Sequence, residues 1–414
     1  MRTNRFHLTI ACGILATAIS TSLTRGADTQ CSHAPVAGPV CLKPPKAVEP
    51  LKEYRLDSTQ GPFMAQTDAD GRLWAWGRVL MKDGKAYFAP APSPMDCPDA
   101  GVKVTQVKDG LIEIKIDGKL FTEFRWGDDE PKPFLWPVIG PTGEPVTRAY
   151  PMKDLEAERK DHIHHRSIWT AWGDIRTTNL KEPGSNYWLQ TKDPRKQDRQ
   201  IVRKIVRTVS GPVFGQIVAE IDWVHHSGRR DFSEVRTYTF HRGDESNRMI
   251  DVRNVFKFDD GEVMFADTKE AGILSIRIAT SMDEITLDKK PGPGVMRNSV
   301  GGKGSGECWG RPAAWCDYVG PVEGQTIGIA VFDNPKNPGH PPRWHIRDYG
   351  LFTVNPYGIK DFPDGKGKDG SHLFKKGEKT QFDYRIVIHK GDTDTAKVAD
   401  QYKLYRDTPT AAVP

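Results

Sequence analysis

The alternation of apolar and polar residues along the chain predicts a protein built mainly from β-strands. Residues 102–126 contain the runs VKVTQV, LIEIKI and KLFTEFRW, which are separated by Asp109-Gly110 and Asp117-Gly118. A period of two places successive side chains on opposite faces of a strand, and Asp-Gly is a tight-turn dipeptide. This stretch therefore predicts an antiparallel meander.

The same pattern resumes after residue 188 and continues almost to the carboxyl terminus. Further strands are predicted at residues 199–210, 212–226, 232–241, 248–258, 263–265, 273–278, 326–332, 351–354 and 380–389. Only residues 393–406 carry a convincing amphipathic helical period. We therefore predict a mainly-β fold, a large antiparallel β-sandwich with few helices.

The amino-terminal residues predict export and a division of the chain into four parts. Residues 1–27 have arginines before an apolar run and an Ala-Thr-Ala cleavage signal, as in a signal peptide. Residues 28–50 are rich in Pro, Ala and Ser and predict a leader or linker. Residues 51–100 predict a small β segment, and residues 101–414 the main sandwich. No later run reaches the ~20 apolar residues of a membrane helix, so we expect a secreted or periplasmic protein without a membrane span.

Charge and cysteine content narrow the possible partners. The 59 basic and 54 acidic residues of the 414 give a net charge of +5, without a basic block, so nucleic acid is not an expected partner. The spacing of Cys31 and Cys41, and of Cys308 and Cys316, is compatible with disulfides in an oxidising compartment. Cys97 would then be left over.

The densest candidate chemistry lies in residues 161–174, DHIHHRSIWTAWGD. If this segment is extended, His162, His164 and Arg166 share one face and His165 lies on the other. Such a His-x-His pair can hold a divalent metal, or one histidine can be an acid/base group and the other its support.

Four further clusters are rich in charged residues or histidine. The first, His225-His226 beside a Ser-Gly turn, is at least as typical of a polar hairpin tip as of a site. The others are the same-face pair Glu234 and Arg236, residues 267–272, and residues 339–350. Aromatic rings that stack on a sugar, together with charged groups that bind its hydroxyls, are the usual lining of a sugar site.

Three of these stretches resemble a known bacterial family. They are DHIHHRSIWTAWGD, residues 267–272, and the run GIAVFDNPKNPGHPPRWHIRDYGLFTVNPYG. They look like the PmoA-like family of unknown function, also labelled methane oxygenase, over roughly residues 102–406. The resemblance implies an all-β sandwich of the galactose-mutarotase-like (supersandwich) kind. A methane monooxygenase subunit has several membrane-spanning helices, so we do not expect that activity here.

Our leading hypothesis is an exported carbohydrate-active enzyme of the epimerase, lyase or hydrolase type. Histidines with a pKa near neutrality and a nearby carboxylate would transfer protons on a sugar, glycoside or oligosaccharide. The expected catalytic residues are His164, His345 and Glu270, with His162 and Asp161 as supports. The expected substrate-binding residues are Arg166, Trp172, Glu234, Arg236, Lys269, Trp315, His340, Trp344, Arg347 and Asn355.

Two alternatives remain open at this stage. In a cupin-like metal enzyme, His162 and His164 would bind a divalent cation together with a distant Glu or His. A non-catalytic sugar-binding protein would instead have an open aromatic platform, with its histidines bonded to the backbone. The sequence contains no cofactor motif that decides between them.

Overall fold

The computed structural model describes residues 36–44, 47–58, 61–82, 85–90, 99–181, 183–407 and 411–412. The predicted signal peptide, Cys31 and Cys97 lie outside the described residues.

Within these residues the chain forms 25 β-strands and two α-helices. The strands are β1 (Ala37–Lys43), β2 (Glu53–Leu56), β3 (Phe63–Thr67), β4 (Leu73–Lys82), β5 (Lys85–Pro90), β6 (Val102–Lys108), β7 (Leu111–Ile116), β8 (Lys119–Arg125), β9 (Phe134–Val138), β10 (Ile168–Trp172), β11 (Ile175–Arg176), β12 (Arg199–Val209), β13 (Phe214–Val224), β14 (Arg230–His241), β15 (Asn247–Lys257), β16 (Val263–Phe265), β17 (Ala271–Arg277), β18 (Val295–Asn298), β19 (Trp315–Val322), β20 (Gln325–Asp333), β21 (Arg343–Ile346), β22 (Leu351–Asn355), β23 (His372–Phe374), β24 (Lys379–Lys390) and β25 (Ala411–Ala412). The helices are α1 (Ser305–Cys308) and α2 (Val398–Asp407).

Two eight-stranded antiparallel sheets form the body of the protein. One has the strand order β21-β22-β17-β10-β9-β8-β7-β6, and the other β12-β13-β14-β15-β24-β20-β19-β18. Inward-facing residues of both sheets form one continuous apolar core, to which Ile112 and Ile114 contribute from β7, and Ile250 and Val252 from β15. The prediction of a mainly-β fold with large antiparallel sheets is therefore confirmed.

Strand β10 is buried on both of its faces. Ile168 and Trp172 point into the main core. Trp169 and Ala171 join a smaller apolar cluster on the opposite face, together with Leu351 of β22. The outer face of the sheet is therefore covered at β10. Trp172, an expected sugar contact, is instead a core residue whose indole N–H donates to the carbonyl of Ala266 at 3.0 Å.

Strands β1–β5 and the carboxyl-terminal β25 form a third, six-stranded sheet with its own apolar core. Strand β1 lies within residues 28–50, where the sequence predicted a leader without regular structure, and it pairs with β4. Val40 and Leu42 of β1 are buried. The strand is short and contains Gly38 and Pro39, residue types that are depleted in strands, which explains why the sequence did not predict it.

The carboxyl-terminal helix is confirmed in a shorter form. α2 begins at Val398, five residues later than predicted. Val398, Tyr402 and Tyr405 pack on Phe332 and Val387 of the second eight-stranded sheet. The spacing of three and four residues places these side chains on one helical face.

The Cys308–Cys316 disulfide that the spacing would allow is not formed. Both residues are free thiols with no exposed surface, and they belong to the main core. Cys308 lies in α1 and Cys316 in β19, so the two cysteines do not face each other across a hairpin. Burial raises the pKa of the Cys308 thiol to about 12.

Glu234 and Arg236 form a fully buried ion pair instead of the floor of a ligand cleft. The guanidinium Nε of Arg236 donates to Glu234 at 2.7 Å, and neither side chain is exposed. The same carboxylate accepts the indole N–H of Trp223 at 2.8 Å and an amide N–H of Asn254 at 2.6 Å. Hydrogen bonds therefore compensate the cost of burying both charges.

We predict that Arg236→Met is strongly destabilising because it leaves the Glu234 carboxylate buried without its counter-charge. Urea unfolding should show a loss of about 3–5 kcal/mol in the free energy of unfolding. The matched control is Arg230→Met on the same strand, since Arg230 pairs with Asp260 at the surface. The control should lose less than about 1 kcal/mol. Equal losses in the two variants would show that the buried pair has no special role.

Candidate active site

A cavity of about 370 Å³ lies over the outer face of the sheet, where loops adjoining β10, β17, β21 and β22 meet. Its lining residues combine four histidines with two cations, one carboxylate and an apolar rim. They are His162, His164, His165, Trp188, Leu189, Lys269, Glu270, His345, Arg347, Tyr349 and Leu351.

The histidine segment forms a turn instead of the extended strand that the sequence suggested. The N–H of His165 donates to the carbonyl of His162 at 3.0 Å. His162 and Ser167 adopt positive φ angles of 44° and 54°, which end the alternation of faces. All three imidazoles consequently gather at one place, with ring centroids 4.5–5.6 Å apart.

Two buried arginines hold this turn through Asp161. Arg148 donates to Oδ1 of Asp161 at 2.6 Å, and Arg277 donates to the same oxygen at 2.8 Å. Arg148 also donates to the carbonyl oxygens of Asp161 and His162, at 2.9 and 3.0 Å. Partial burial opposes ionisation of Asp161, but the bond from His162 and the two guanidinium charges outweigh it and lower the pKa of Asp161.

His165 is a supporting residue beneath the cavity. Nη1 of Arg277 lies 2.9 Å from its Nδ1. A guanidinium only donates, so Nδ1 accepts and the neutral ring carries its proton on Nε2. The ring also stacks on Trp169 with a centroid distance of 5.2 Å. Burial, together with the charge of Arg277, lowers the pKa of His165 far below its ordinary value.

His164 is held as a neutral imidazole. Burial lowers its pKa to about 3, and the positive charge of Lys132 adds to the shift. Lys132 is itself buried and donates to the carbonyl of Trp188 at 2.7 Å, beside the cavity. A histidine in this position offers a lone pair and a neutral N–H at physiological pH.

His345 reaches the cavity from β21, between Trp344 and Ile346, which point into the main core. The indole N–H of Trp309 donates to Nδ1 of His345 at 2.9 Å, so its proton lies on Nε2. Burial, then the charges of Arg347 and Lys269, lower its pKa to about 3. The expectation that His164 and His345 titrate near neutrality is therefore not met.

The charged groups of the cavity come from two loops. Lys269 and Glu270 directly precede β17, and Arg347 and Tyr349 belong to the turn between β21 and β22. The guanidinium of Arg347 lies 5.3 Å from the ring centre of Trp309 and 5.5 Å from that of Tyr349. These aromatic faces favour the cation, so Arg347 has a defined position.

The structure brings together the three expected catalytic residues and three of their expected partners. These are His164, His345, Glu270, His162, Lys269 and Arg347. Asn355 does not line the cavity. Its amide donates to the carbonyl of Thr268 at 2.8 Å and so supports the loop that carries Glu270.

The remaining expected sugar contacts lie elsewhere. Arg166 is paired with Glu130 at 2.8 Å, and His340 is paired with Asp333. Trp344 is fully buried and donates to the carbonyl of Ala313. Like Trp172 and the Glu234–Arg236 pair, these residues have structural partners that the sequence does not reveal.

A larger cavity, of about 590 Å³, lies between β18 and the start of α2, and Trp315 lines it. Its charged groups include Arg297 and Asp394, which pair with each other at 2.9 Å. It contains no histidine. We therefore regard the smaller, histidine-lined cavity as the functional candidate.

Sequence reasoning missed Trp188, Arg148 and Arg277 as parts of the site. Trp188 lies in a long irregular loop whose sequence has no period. Arg148 ends a proline-rich stretch, and Arg277 ends the apolar run AGILSIR. A charged residue at the end of an otherwise apolar strand is a usable signal, since it needs a buried partner there.

The three-ligand arrangement that the cupin-like hypothesis requires is not formed by the described residues. Within them, one group of His, Cys, Asp or Glu has three ligand atoms within 4.8 Å of one another, and it consists of Asp198, His225 and His226. His162 and His164 do not belong to it.

Several solved structures share distant similarity with the chain. The crystal structure of HI1317 is 8% identical, with a TM-score of 0.22, and the match covers 69% of this chain and 99% of that one. Galactose 1-epimerase from Lactobacillus acidophilus NCFM is 9% identical, with a TM-score of 0.30 and coverages of 70% and 98%. Heparinase III, the BT4657 gene product, is 12% identical, with a TM-score of 0.28 and coverages of 75% and 37%. Similarity at this level carries no argument about activity.

No curated protein matches the chain in sequence. Among the described residues, the helices are too short or too polar to cross a membrane. A family model does match, and it does not carry the PmoA-like label. Residues 111–403 match the family of unknown function DUF6807, and the chain belongs to that family.

Proposed function

We propose that the protein is an exported enzyme that transfers protons on a sugar or glycoside, and that the histidine-lined cavity is its active site. The observation that carries this proposal is the grouping of Glu270 with two buried, neutral imidazoles, His164 and His345, around one cavity. Export rests on the amino-terminal sequence pattern alone.

The residues divide naturally into acceptor and donor roles. Glu270 is the one carboxylate among the residues that line the cavity, and it accepts the proton. A neutral imidazole is a poor proton source but a good hydrogen-bond donor to an oxygen on which negative charge develops. Nε2–H of His345, fixed by the bond from Trp309, suits this role. His164 supplies a second neutral imidazole that can form a hydrogen bond with the substrate.

The two cations indicate how a ligand is held. Lys269 and Arg347 line the same cavity as Glu270, so cationic groups outnumber the carboxylate. A sugar hydroxyl or carboxylate can bind to Arg347. This arrangement favours an acidic or oxidised sugar over a fully neutral one.

Among the three reaction types, the lining favours epimerisation or elimination over hydrolysis. Most glycoside hydrolases use two carboxylates on either side of the bond that breaks. The described lining supplies only Glu270. Epimerases and lyases need one base and a group that stabilises an oxyanion, and both are present.

A purely binding role fits the contacts less well. It predicts histidine rings bonded to the backbone and out of reach of a ligand. The rings of His162, His165 and His345 are instead bonded to or paired with side chains, namely Asp161, Arg277 and Trp309, while all three line the cavity.

We predict that Glu270→Gln abolishes turnover while ligand binding persists. The measurement is proton NMR in deuterated buffer with a panel of uronic acids, neutral sugars and glycosides, followed by the variant on any compound that reacts or exchanges a carbon-bound proton. Loss of the base should lower the rate about 10²- to 10⁴-fold.

The matched control for this variant is Glu262→Gln. Glu262 is exposed and pairs with Lys375 at the surface. Turnover should be unchanged in the control. Full activity in Glu270→Gln, or ligand binding by the wild type with neither turnover nor exchange for any compound, would contradict the proposal.

We predict that His164 and His345 remain neutral throughout the physiological pH range. With pKa values of about 3, both rings should keep neutral nitrogen shifts in long-range proton–nitrogen NMR from pH 8 to pH 5. His345 should show the Nε2–H tautomer. Signals are assigned with His164→Gln and His345→Gln. Protonation of either ring above pH 5 would refute the donor role assigned to the neutral imidazoles.

The lowered pKa values of His164 and His345 also determine how the stability of the folded protein changes with pH. In the unfolded chain these histidines have a pKa of about 6.5 and take up protons that the folded protein does not. The contribution of the two neutral histidines to the free energy of unfolding is complete above pH 6.5 and is lost as pH falls toward 3. The slope of unfolding free energy against pH between 6 and 4 should therefore decrease in His345→Gln.

A further inference from the structure

The tip of the β13–β14 hairpin brings two histidines onto one side of the sheet. The N–H of His225 donates to the carbonyl of Arg229, and the N–H of Gly228 donates to that of His225, both at 2.8 Å. This turn ends the alternation of the strand. The rings of His225 and His226 consequently lie with their centroids 3.8 Å apart.

A buried carboxylate faces this pair from the loop that leads into the neighbouring strand. Asp198 precedes β12 and is only 6% exposed. Its Oδ1 accepts the backbone N–H of His226 at 2.8 Å and lies 2.9 Å from the ring Nδ1 of the same residue. Its Oδ2 accepts the N–H of Asn186 at 2.6 Å. The carboxylate is therefore fixed from both sides.

The other charges near this group are already paired. Asp231 accepts hydrogen bonds from Ser185, from Tyr187 at 2.8 Å and from Arg229 at 2.9 Å. Arg229 is thereby neutralised, which leaves Asp198 facing the two imidazoles.

We propose that Asp198, His225 and His226 form a binding site for a divalent transition-metal cation such as Zn²⁺. One ligand atom from each residue lies within 4.8 Å of the other two. Two imidazole nitrogens and a carboxylate oxygen are a donor set that Zn²⁺ favours, with bonds of about 2.0–2.2 Å. Adjacent ligands of such an ion are about 3 Å apart, close to the 2.9 Å between Asp198 and His226.

The position of the site suggests its purpose. Asp198 binds Asn186, and the side-chain oxygen of Asn186 accepts the N–H groups of Trp188 and Leu189 at 3.1 and 2.9 Å. Trp188 and Leu189 line the candidate active site. A metal on Asp198 therefore ties the loop of residues 186–198 to the hairpin tip and stabilises one wall of that cavity. His226 is exposed, which leaves a coordination position open to water.

The test is calorimetric titration of the chelator-treated full chain, without a polyhistidine tag, with ZnCl₂ alone. We expect one saturable equivalent. His225→Ala and His226→Ala should each weaken binding by more than the roughly 10- to 100-fold typical of outer-shell substitutions. Both change residues of a surface turn and should leave the fold intact. Affinity should fall as pH is lowered, because the imidazoles must be unprotonated to bind.

Two controls distinguish this site from others on the chain. His372→Ala removes a histidine on β23 outside the group and should leave binding unchanged. The double variant His162→Ala/His164→Ala should also retain it. Hydrogen exchange of residues 186–198 should slow when Zn²⁺ is added to the wild type but not to His226→Ala. The proposal is overturned if the wild type shows no saturable binding, if the hairpin variants bind normally, or if only the double variant loses binding.

Discussion

The candidate site depends on one carboxylate between two buried guanidinium groups. Asp161 accepts hydrogen bonds from Arg148 and Arg277, whose side chains are at most 1% exposed. Each arginine also binds the histidine turn directly, Arg148 through backbone carbonyls and Arg277 through Nδ1 of His165. Removing the carboxylate would leave two buried charges uncompensated, which is among the most costly changes in a protein interior. The positive φ angles of His162 and Ser167 persist because this network holds the segment at both ends.

The same network determines the protonation of the site. Two guanidinium groups share one aspartate, so positive charge is in excess behind the cavity, and Lys132 adds to it. This excess, combined with burial, keeps His164 and His165 neutral. Histidine clusters are commonly regarded as groups that gain and lose protons near neutrality. Here the environment keeps the imidazoles neutral, and the proposed function therefore assigns proton acceptance to Glu270.

The loop of residues 186–198 links the two clusters of histidines. At one end, Trp188 contacts the rings of His164 and His165, with centroid distances of 6.1 and 5.4 Å. At the other end, Asp198 binds His226 at the hairpin tip. Asn186 connects the two ends through three hydrogen bonds. Polar contacts therefore hold this loop together with the burial of Tyr187 and Trp188, and a cation at the hairpin would act through it on the wall of the candidate site.

The sequence by itself determined the mainly-β class and most strands after residue 101. A strand with one buried face has apolar and polar residues in alternation, and this pattern can be read directly from the sequence. The sequence also located His164, Lys269, Glu270, His345 and Arg347, since dense clusters of charged and aromatic residues on loops are uncommon without a role.

The sequence did not determine which face each residue occupies, because the turn at His162 depends on arginines more than ten residues away or on another strand. Only the tertiary structure decided that Glu234 and Arg236 are core residues, and that Asp198 completes a group with His225 and His226. The partners in such groups are distant along the chain. The free energy that selects them arises from burial and charge neutralisation, and local sequence patterns do not predict it.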